Sequence, residues 1–361
     1  MKRILHLTNN LALAGTETCI MNWYRNIDRD KIQFDFVCLS NKHLYFKEEI
    51  EKLGGNIFII EKENGLTGQI KFYFNLFKFL KTNKFYTFHT HLHYSNGFYC
   101  MIAFLAGIKE RITNSHFNEG YRNTPFYKKL FSKLLIKLFA TKRIAASMEA
   151  GKTLYGKAHY TVIYNGIDIN KFAYNENERE QTRKELLNIK ENFVVGHIGR
   201  FEPQKNHNFL IDICNEILKQ KENAILLLAG EGPFEKEIKE KVKMLNIETK
   251  VKFLGVREDV NKLYQAMDCF VLPSFFEGLG IVNIEAQCSG LPVFISDGVP
   301  NEAMLCNTTK ISLNTSAKQW ADSILEKVKN FERKDCSLTL KQAGFDIKDT
   351  AKQIEKVYLR N

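Results

Sequence analysis

Short apolar runs recur along the chain, separated by segments whose apolar residues fall three and four positions apart. The runs at 3–8, 33–39, 56–60, 86–90, 111–115 and 143–146 read as strands of a first half. Those at 161–164, 193–198, 224–229, 252–254, 269–272 and 293–296 read as strands of a second. Strands alternating with helices predict an α/β protein with parallel sheets covered on both faces. No sequence repeat links the halves, so they share a pattern and not an ancestral segment legible in the residues. The turn Tyr164-Asn165-Gly166-Ile167-Asp168 interrupts strand and helix alike and marks the boundary, giving domains 1–164 and 165–345. The stretch 345–360 reads as a helix with Ile347, Ala351, Ile354 and Tyr358 on one face.

One helical stretch changes the picture of the surface. Residues 122–143 carry seven basic side chains and no acidic one. Tyr127, Leu130, Phe131, Leu134, Leu135, Leu138 and Phe139 follow helical spacing and are expected to pack on a sheet, while Lys129, Lys133 and Lys137 form a stripe on another face. The net charge is +11. Residues 1–164 hold 24 Lys and Arg against 12 Asp and Glu, so the whole excess lies in the first half. A basic half suits nucleic acid, an anionic membrane surface or an acidic substrate. No recognised nucleic-acid module is present, which excludes the first. The lysine stripe, with the segment 71–84, predicts a face resting on anionic lipid.

Hydrophobic content of 44% and charged content of 26% are those of a water-soluble globular chain. No apolar run approaches a bilayer span, and the first residues read as a strand, not as a signal peptide. The eight cysteines are scattered without a C-x-x-C pair, which predicts reduced core residues of a cytoplasmic protein and no zinc site.

The densest chemistry lies at 273–292, PSFFEGLGIVNIEAQCSGLP. An apolar strand runs into a Gly-rich loop that opens a helix, with Glu277 at the helix mouth and Glu285 about two turns in. The N–H groups of Gly278, Leu279, Gly280 and Ile281 at that mouth make an anion site. Phosphate binding flanked by two carboxylates suits a ligand with phosphates and hydroxyls, such as a nucleotide sugar. Upstream, Gly199-Arg200-Phe-Glu-Pro-Gln-Lys205 ends a buried strand with a glycine and two cations that can neutralise a diphosphate without metal.

These words resemble the signature of retaining glycosyltransferases of family 4, and the resemblance spans nearly the whole chain. It implies the GT-B fold: two Rossmann-like domains facing across a cleft, with the C-terminal helix 346–361 crossing back to the N-terminal domain. It implies that Glu277 binds the donor sugar's hydroxyls, Glu285 the ribose, and Arg200 and Lys205 the pyrophosphate beside Gly199. The segment Leu13-Ala14-Gly15-Thr16-Glu17 is similar to the family's "GG-x-E" loop, which brings Gly15 to the donor phosphates and Thr16 to the acceptor side. Ala14 stands where the family has glycine; a turn needing positive φ there would be strained. "TNSHF" at 113–117 resembles the active-site histidine segment, so His116 contacts the donor sugar and shapes the acceptor site, with His91 next to it.

His89, His91 and His93 alternate and would share one strand face, but without a nearby Cys or carboxylate they predict no metal. Two other motifs carry nothing. Asp28-Arg29-Asp30 spells the metal motif of a different glycosyltransferase fold in what reads as a solvated turn, and Gly230-Glu231-Gly232 lacks the third glycine of a dinucleotide loop. The resemblance implies a metal-independent enzyme, without cofactor. It would move a sugar with retention from a UDP-hexose or UDP-N-acetylhexosamine to a lipid-linked glycan of a bacterial capsule or exopolysaccharide, at the inner face of the cell membrane. A nucleotide-sugar 2-epimerase of the same fold, or a non-catalytic nucleotide-sugar-binding subunit, are the alternatives.

Overall fold

The structure is a computed structural model and describes residues 1–63, 65–116, 124–186, 188 and 191–360; Phe117 and Arg122 of the motifs above lie outside the described residues. The chain forms two compact units, Met1–Gly166 together with Asp346–Asn361, and Ile167–Phe345. Each is a Rossmann-like α/β unit built on an all-parallel sheet.

The first unit has seven strands: β1 Lys2–Thr8, β2 Ile32–Cys38, β3 Ile57–Ile59, β4 Thr87–Thr90, β5 Glu110–Ser115, β6 Lys142–Ala145 and β7 Thr161–Val162. Their order is β3-β2-β1-β4-β5-β6-β7, so the winding reverses between β1 and β4. Parallel strands covered on both faces read as nearly continuous apolar runs, and the last five residues of β1 and all of β2 are buried. The run at 161–164 belongs here and not to the second half, because β7 pairs with β6 before the Asn165-Gly166 turn.

The second unit has β8 Phe193–Ile198, β9 Ala224–Ala229, β10 Val251–Phe253, β11 Cys269–Leu272, β12 Val293–Ser296 and β13 Thr308–Ile311. The order β10-β9-β8-β11-β12-β13 reverses between β8 and β11. Strand β13, Thr-Thr-Lys-Ile at the sheet's edge, has no apolar run to announce it and is only half buried.

The last helix, Ile347–Leu359, belongs to the first unit. Ile347, Ala351, Ile354 and Tyr358 are buried in one core with Trp23, Tyr24, Phe34 and Phe36. Asp346 Oδ1 accepts the Lys348 N–H at 2.9 Å and caps the helix start. At the other end Lys2 Nζ donates to the Tyr358 carbonyl and Lys142 Nζ to those of Val357 and Arg360, each at 2.7 Å. Both lysines also pair with Glu110, so two cations held by one carboxylate meet the helix's negative end.

The lysine-rich helix, Phe126–Phe139, differs from expectation. Its buried residues are Ser132, Leu135 and Ile136. Phe126 (79% exposed), Tyr127, Leu130, Phe131, Leu134 and Leu138 all face solvent. The reason is the neighbouring helix Asn96–Leu105, which approaches so closely that a side chain at Gly97 would meet the Ser132 backbone. Small residues set the contact line, and the large apolar residues one step around the helix are left outside.

Candidate active site

Open α/β sheets bind ligands beyond the carboxyl ends of their strands, where the winding reverses. In the second unit that point lies between β8 and β11. Strand β8 leads to Gly199, Arg200 and Lys205, and β11 leads to Glu277. Lys205 ends a single helical turn, Pro203–Lys205, which Asn206 closes in the left-handed conformation (φ 55°). The loop carrying Glu277 is tied to this turn: the Phe275 N–H donates to the Gln204 carbonyl at 2.9 Å, and Gln204 Nε2 donates to the Phe276 carbonyl at 2.9 Å. Lys205 Nζ then lies 2.7 Å from Glu277 Oε1. Glu277 is only 5% exposed, so this pair is largely withdrawn from water.

Arg200 is not drawn into that pair. Its guanidinium lies 3.0 Å from Glu202 and its side chain is 58% exposed. The helix Ile281–Cys288 starts from Gly280 at φ 75°, a conformation that a side chain would strain. No side chain caps this start, and among the described residues the N–H groups of Leu279, Gly280 and Ile281 have no acceptor. Gly278, by contrast, already has a polar partner.

Glu285 sits just over one turn into the helix, not two. Its Oε2 lies 2.9 Å from the hydroxyl of Tyr264, which is buried. Burial pushes the Glu285 carboxyl up to about 7, against the opposing pulls of the Tyr264 hydrogen bond and the Lys171 charge. A carboxyl shifted in this way is a candidate binding group. Gly230 and Gly232 have a packing role: side chains there would strike the backbones of Gly199 and Phe201, so this pair lets the loop after β8 lie against its neighbour.

In the first unit the reversal lies between β1 and β4. Beyond β1, Ala14 has φ −128°, ordinary extended backbone, so alanine brings no strain. Gly15 begins the helix Gly15–Asn26 in open space, with Thr16 next to it. Beyond β4 and β5 come His91 and His116, both buried. His116 Nε2 lies 2.9 Å from His91 Nδ1, and His91 Nε2 lies 3.0 Å from His6 Nδ1.

The expected row of three histidines on one strand face does not form. Strand β4 ends at Thr90, and His93 turns away into a short helical turn. His6 takes the third place, because the β1–β4 register sets it directly beside His89. A lone His in an apolar strand gives no signal of this in the sequence. Burial, with a smaller contribution from His93, pushes the His116 imidazole down to about 3, so it is neutral at physiological pH. Asp28 of the D-x-D sequence is engaged by Lys31 at 2.5 Å, and Asp30 is exposed.

Comparison with known proteins matches each half to a sugar-transferase family. Residues 178–337 match the family model described as glycosyl transferases group 1, and residues 13–171 match glycosyltransferase family 4. EpsF of Bacillus subtilis (strain 168), a glycosyltransferase by name, is 32% identical over 99% of this chain and 96% of its own length. The Escherichia coli UDP-Gal:α-D-GlcNAc-diphosphoundecaprenol α-1,3-galactosyltransferase is 25% identical over 99% of this chain and 96% of its own. Among solved structures, Anabaena HepE in complex with UDP and glucose superposes with a TM-score of 0.82 at 20% identity, covering 99% of both chains.

Proposed function

Since the chain belongs to glycosyltransferase family 4, we propose that it transfers a sugar from a uridine diphosphate sugar, a hexose or N-acetylhexosamine, to a hydroxyl of a lipid-linked glycan, with retention at the anomeric carbon. The observation that carries the donor side is the Lys205–Glu277 pair beside the open N–H groups of Leu279, Gly280 and Ile281. Cation, carboxylate and N–H groups converge at one strand end, as a ligand bearing both phosphate and hydroxyls requires.

Arg200 and Lys205 take the diphosphate beside Gly199, and Gly15 is a further donor-phosphate contact. Glu277 accepts from the sugar's hydroxyls and Glu285 from the ribose. Charge accumulates on the leaving diphosphate, and the two cations with the helix-mouth N–H groups stabilise it there without a metal. The departing phosphate oxygen takes the acceptor's proton on the face where the new bond forms. His116, neutral and of low basicity, positions the sugar and, with His91 and Thr16, shapes the acceptor side. The diphosphoundecaprenol acceptor in the name of the Escherichia coli relative supports a lipid-linked glycan, and HepE's complex with UDP supports the donor class.

The test is a panel of UDP-sugars with and without a short-chain lipid-diphosphate sugar, in the presence of chelator. The expected result is UDP release that depends on the acceptor and a product of unchanged anomeric configuration. Conversion of donor alone to an epimer, or failure to bind any UDP-sugar by calorimetry, rules this reading out.

The exposed apolar face adds the place of work. Phe126, Leu130, Leu134 and Leu138 follow one another around the solvent side of a helix whose flank carries Lys129, Lys133 and Lys137. Ile70 and Phe74 on the helix Gly65–Asn83 and Phe104 and Leu105 on the helix Asn96–Leu105 are exposed as well. An apolar face flanked by lysines is the arrangement of a helix lying in the interface of an anionic leaflet, here the inner face of the cell membrane. A Leu130→Ser/Leu134→Ser/Leu138→Ser variant removes roughly 1.5–3 kcal/mol of apolar burial per side chain from the bound state. It should keep the wild-type melting temperature and lose co-sedimentation with anionic vesicles. Undiminished binding by that variant, or wild-type binding indifferent to salt and lipid charge, would reject the assignment.

A further inference from the structure

His6, His91 and His116 form one continuous chain of imidazoles inside the first unit, with ring nitrogens 3.0 and 2.9 Å apart. All three rings are buried. The two outer nitrogens, His6 Nε2 and His116 Nδ1, have no hydrogen-bond partner among the described residues. Burial lowers the pKa of each ring, that of His6 and His91 well below the ordinary value, so each is neutral and carries a single N–H.

The proton count then restricts the chain. Each of the two ring-to-ring hydrogen bonds needs one N–H and one lone pair. With one proton per ring, only two arrangements satisfy both: every ring protonated at Nδ1, or every ring protonated at Nε2. Any mixed arrangement sets two lone pairs or two N–H groups against each other in a buried site, which costs about 1–3 kcal/mol for each hydrogen bond left unmade.

We propose that the three imidazoles form a hydrogen-bond relay that holds one common tautomer, so that His6 and His91 are positioning residues that fix the tautomer His116 presents beside the bound sugar. This rests on the reading of His116 as a donor-sugar contact. An ion is disfavoured at this place. His6, His89 and His91 do bring ligand nitrogens within 4.8 Å of one another. Both nitrogens of His91, however, are taken up by its neighbours, which leaves His6 Nε2 and His89 Nε2 as the two open nitrogens, one short of a three-histidine site.

The experiment is long-range proton–nitrogen correlation on the full chain labelled with ¹⁵N-histidine, at neutral pH and without ligand. The expected spectrum gives His6, His91 and His116 the same tautomer. In His6→Phe, which keeps a ring of similar shape and removes Nδ1, the ring nitrogens of His116 should shift although residue 6 makes no hydrogen bond to it. Turnover should fall about 10-fold with donor KM changed less than about 2-fold, as expected when only orientation of the reacting sugar is lost. Mixed tautomers in the wild type, unchanged His116 signals in His6→Phe, or stoichiometric metal in the purified chain overturn the relay. The wild-type spectrum decides this even if the variant does not fold. Concerted tautomers with unchanged turnover would instead remove His116 from the sugar and leave the relay structural.

Discussion

Glu277→Gln should lower kcat/KM for sugar transfer by about 10²–10³-fold. The side chain keeps its shape and its hydrogen-bonding oxygen, but the charge that holds Lys205 at 2.7 Å is gone. A sugar hydroxyl then donates to a neutral amide, and a charge-assisted hydrogen bond is roughly twice as strong as a neutral one. Lys205, released from its partner, no longer meets the diphosphate from a fixed position.

The reverse change separates chemistry from architecture. Lys205→Met leaves the Glu277 carboxylate, 5% exposed, without its cation, and should cost about 3–5 kcal/mol of stability. The double variant Glu277→Gln/Lys205→Met has neither charge, so it should recover most of that stability while staying inactive. Thermal melts and single-turnover transfer on the four proteins give both readings. A double variant active to within about 10-fold of wild type would make the pair a structural tie and remove both residues from the reaction.

What could be read from the residues follows the range of the forces involved. The α/β class and twelve of the thirteen strands among the described residues follow from local apolar runs, because parallel strands buried on both faces must be nearly all apolar. Glu277 and Glu285 stand out because their loop, cap and helix are consecutive in the chain. His6 does not, since only the pairing of β1 with β4 gives it a role. β13 escapes notice because an edge strand can be polar. The lysine helix reverses the usual inference from periodicity. Its large apolar residues form a regular face, yet the burial line is drawn by Gly97 and Ser132, whose smallness matters only when two helices meet.

Glu285→Gln should stabilise the free protein above neutral pH and weaken nucleotide binding, two opposite effects of one carboxyl. The folded-state pKa of about 7 lies above the ordinary value of 4.5. The folded protein thus holds this proton more tightly than the unfolded chain. The associated stability is fully present below about pH 4.5 and is lost as pH rises through about 7, to a total of at most about 3 kcal/mol. Gln never ionises, so the variant should match wild type in acid and exceed it in melting temperature at about pH 8. On the proposed reading ribose hydroxyls donate to the ionised carboxylate, and binding should therefore expel the proton. With an intact UDP-sugar, whose phosphates do not titrate in this range, calorimetry in buffers of different ionisation heat should register release approaching about one proton near pH 6 and almost none near pH 8.5. In Glu285→Gln that release should vanish, and affinity should fall roughly 10- to 100-fold for the loss of charge-assisted hydrogen bonds. Equal proton release in the two proteins would place the ribose elsewhere. A variant that binds as tightly as wild type would leave the buried carboxyl as a burden on stability without a ligand to justify it.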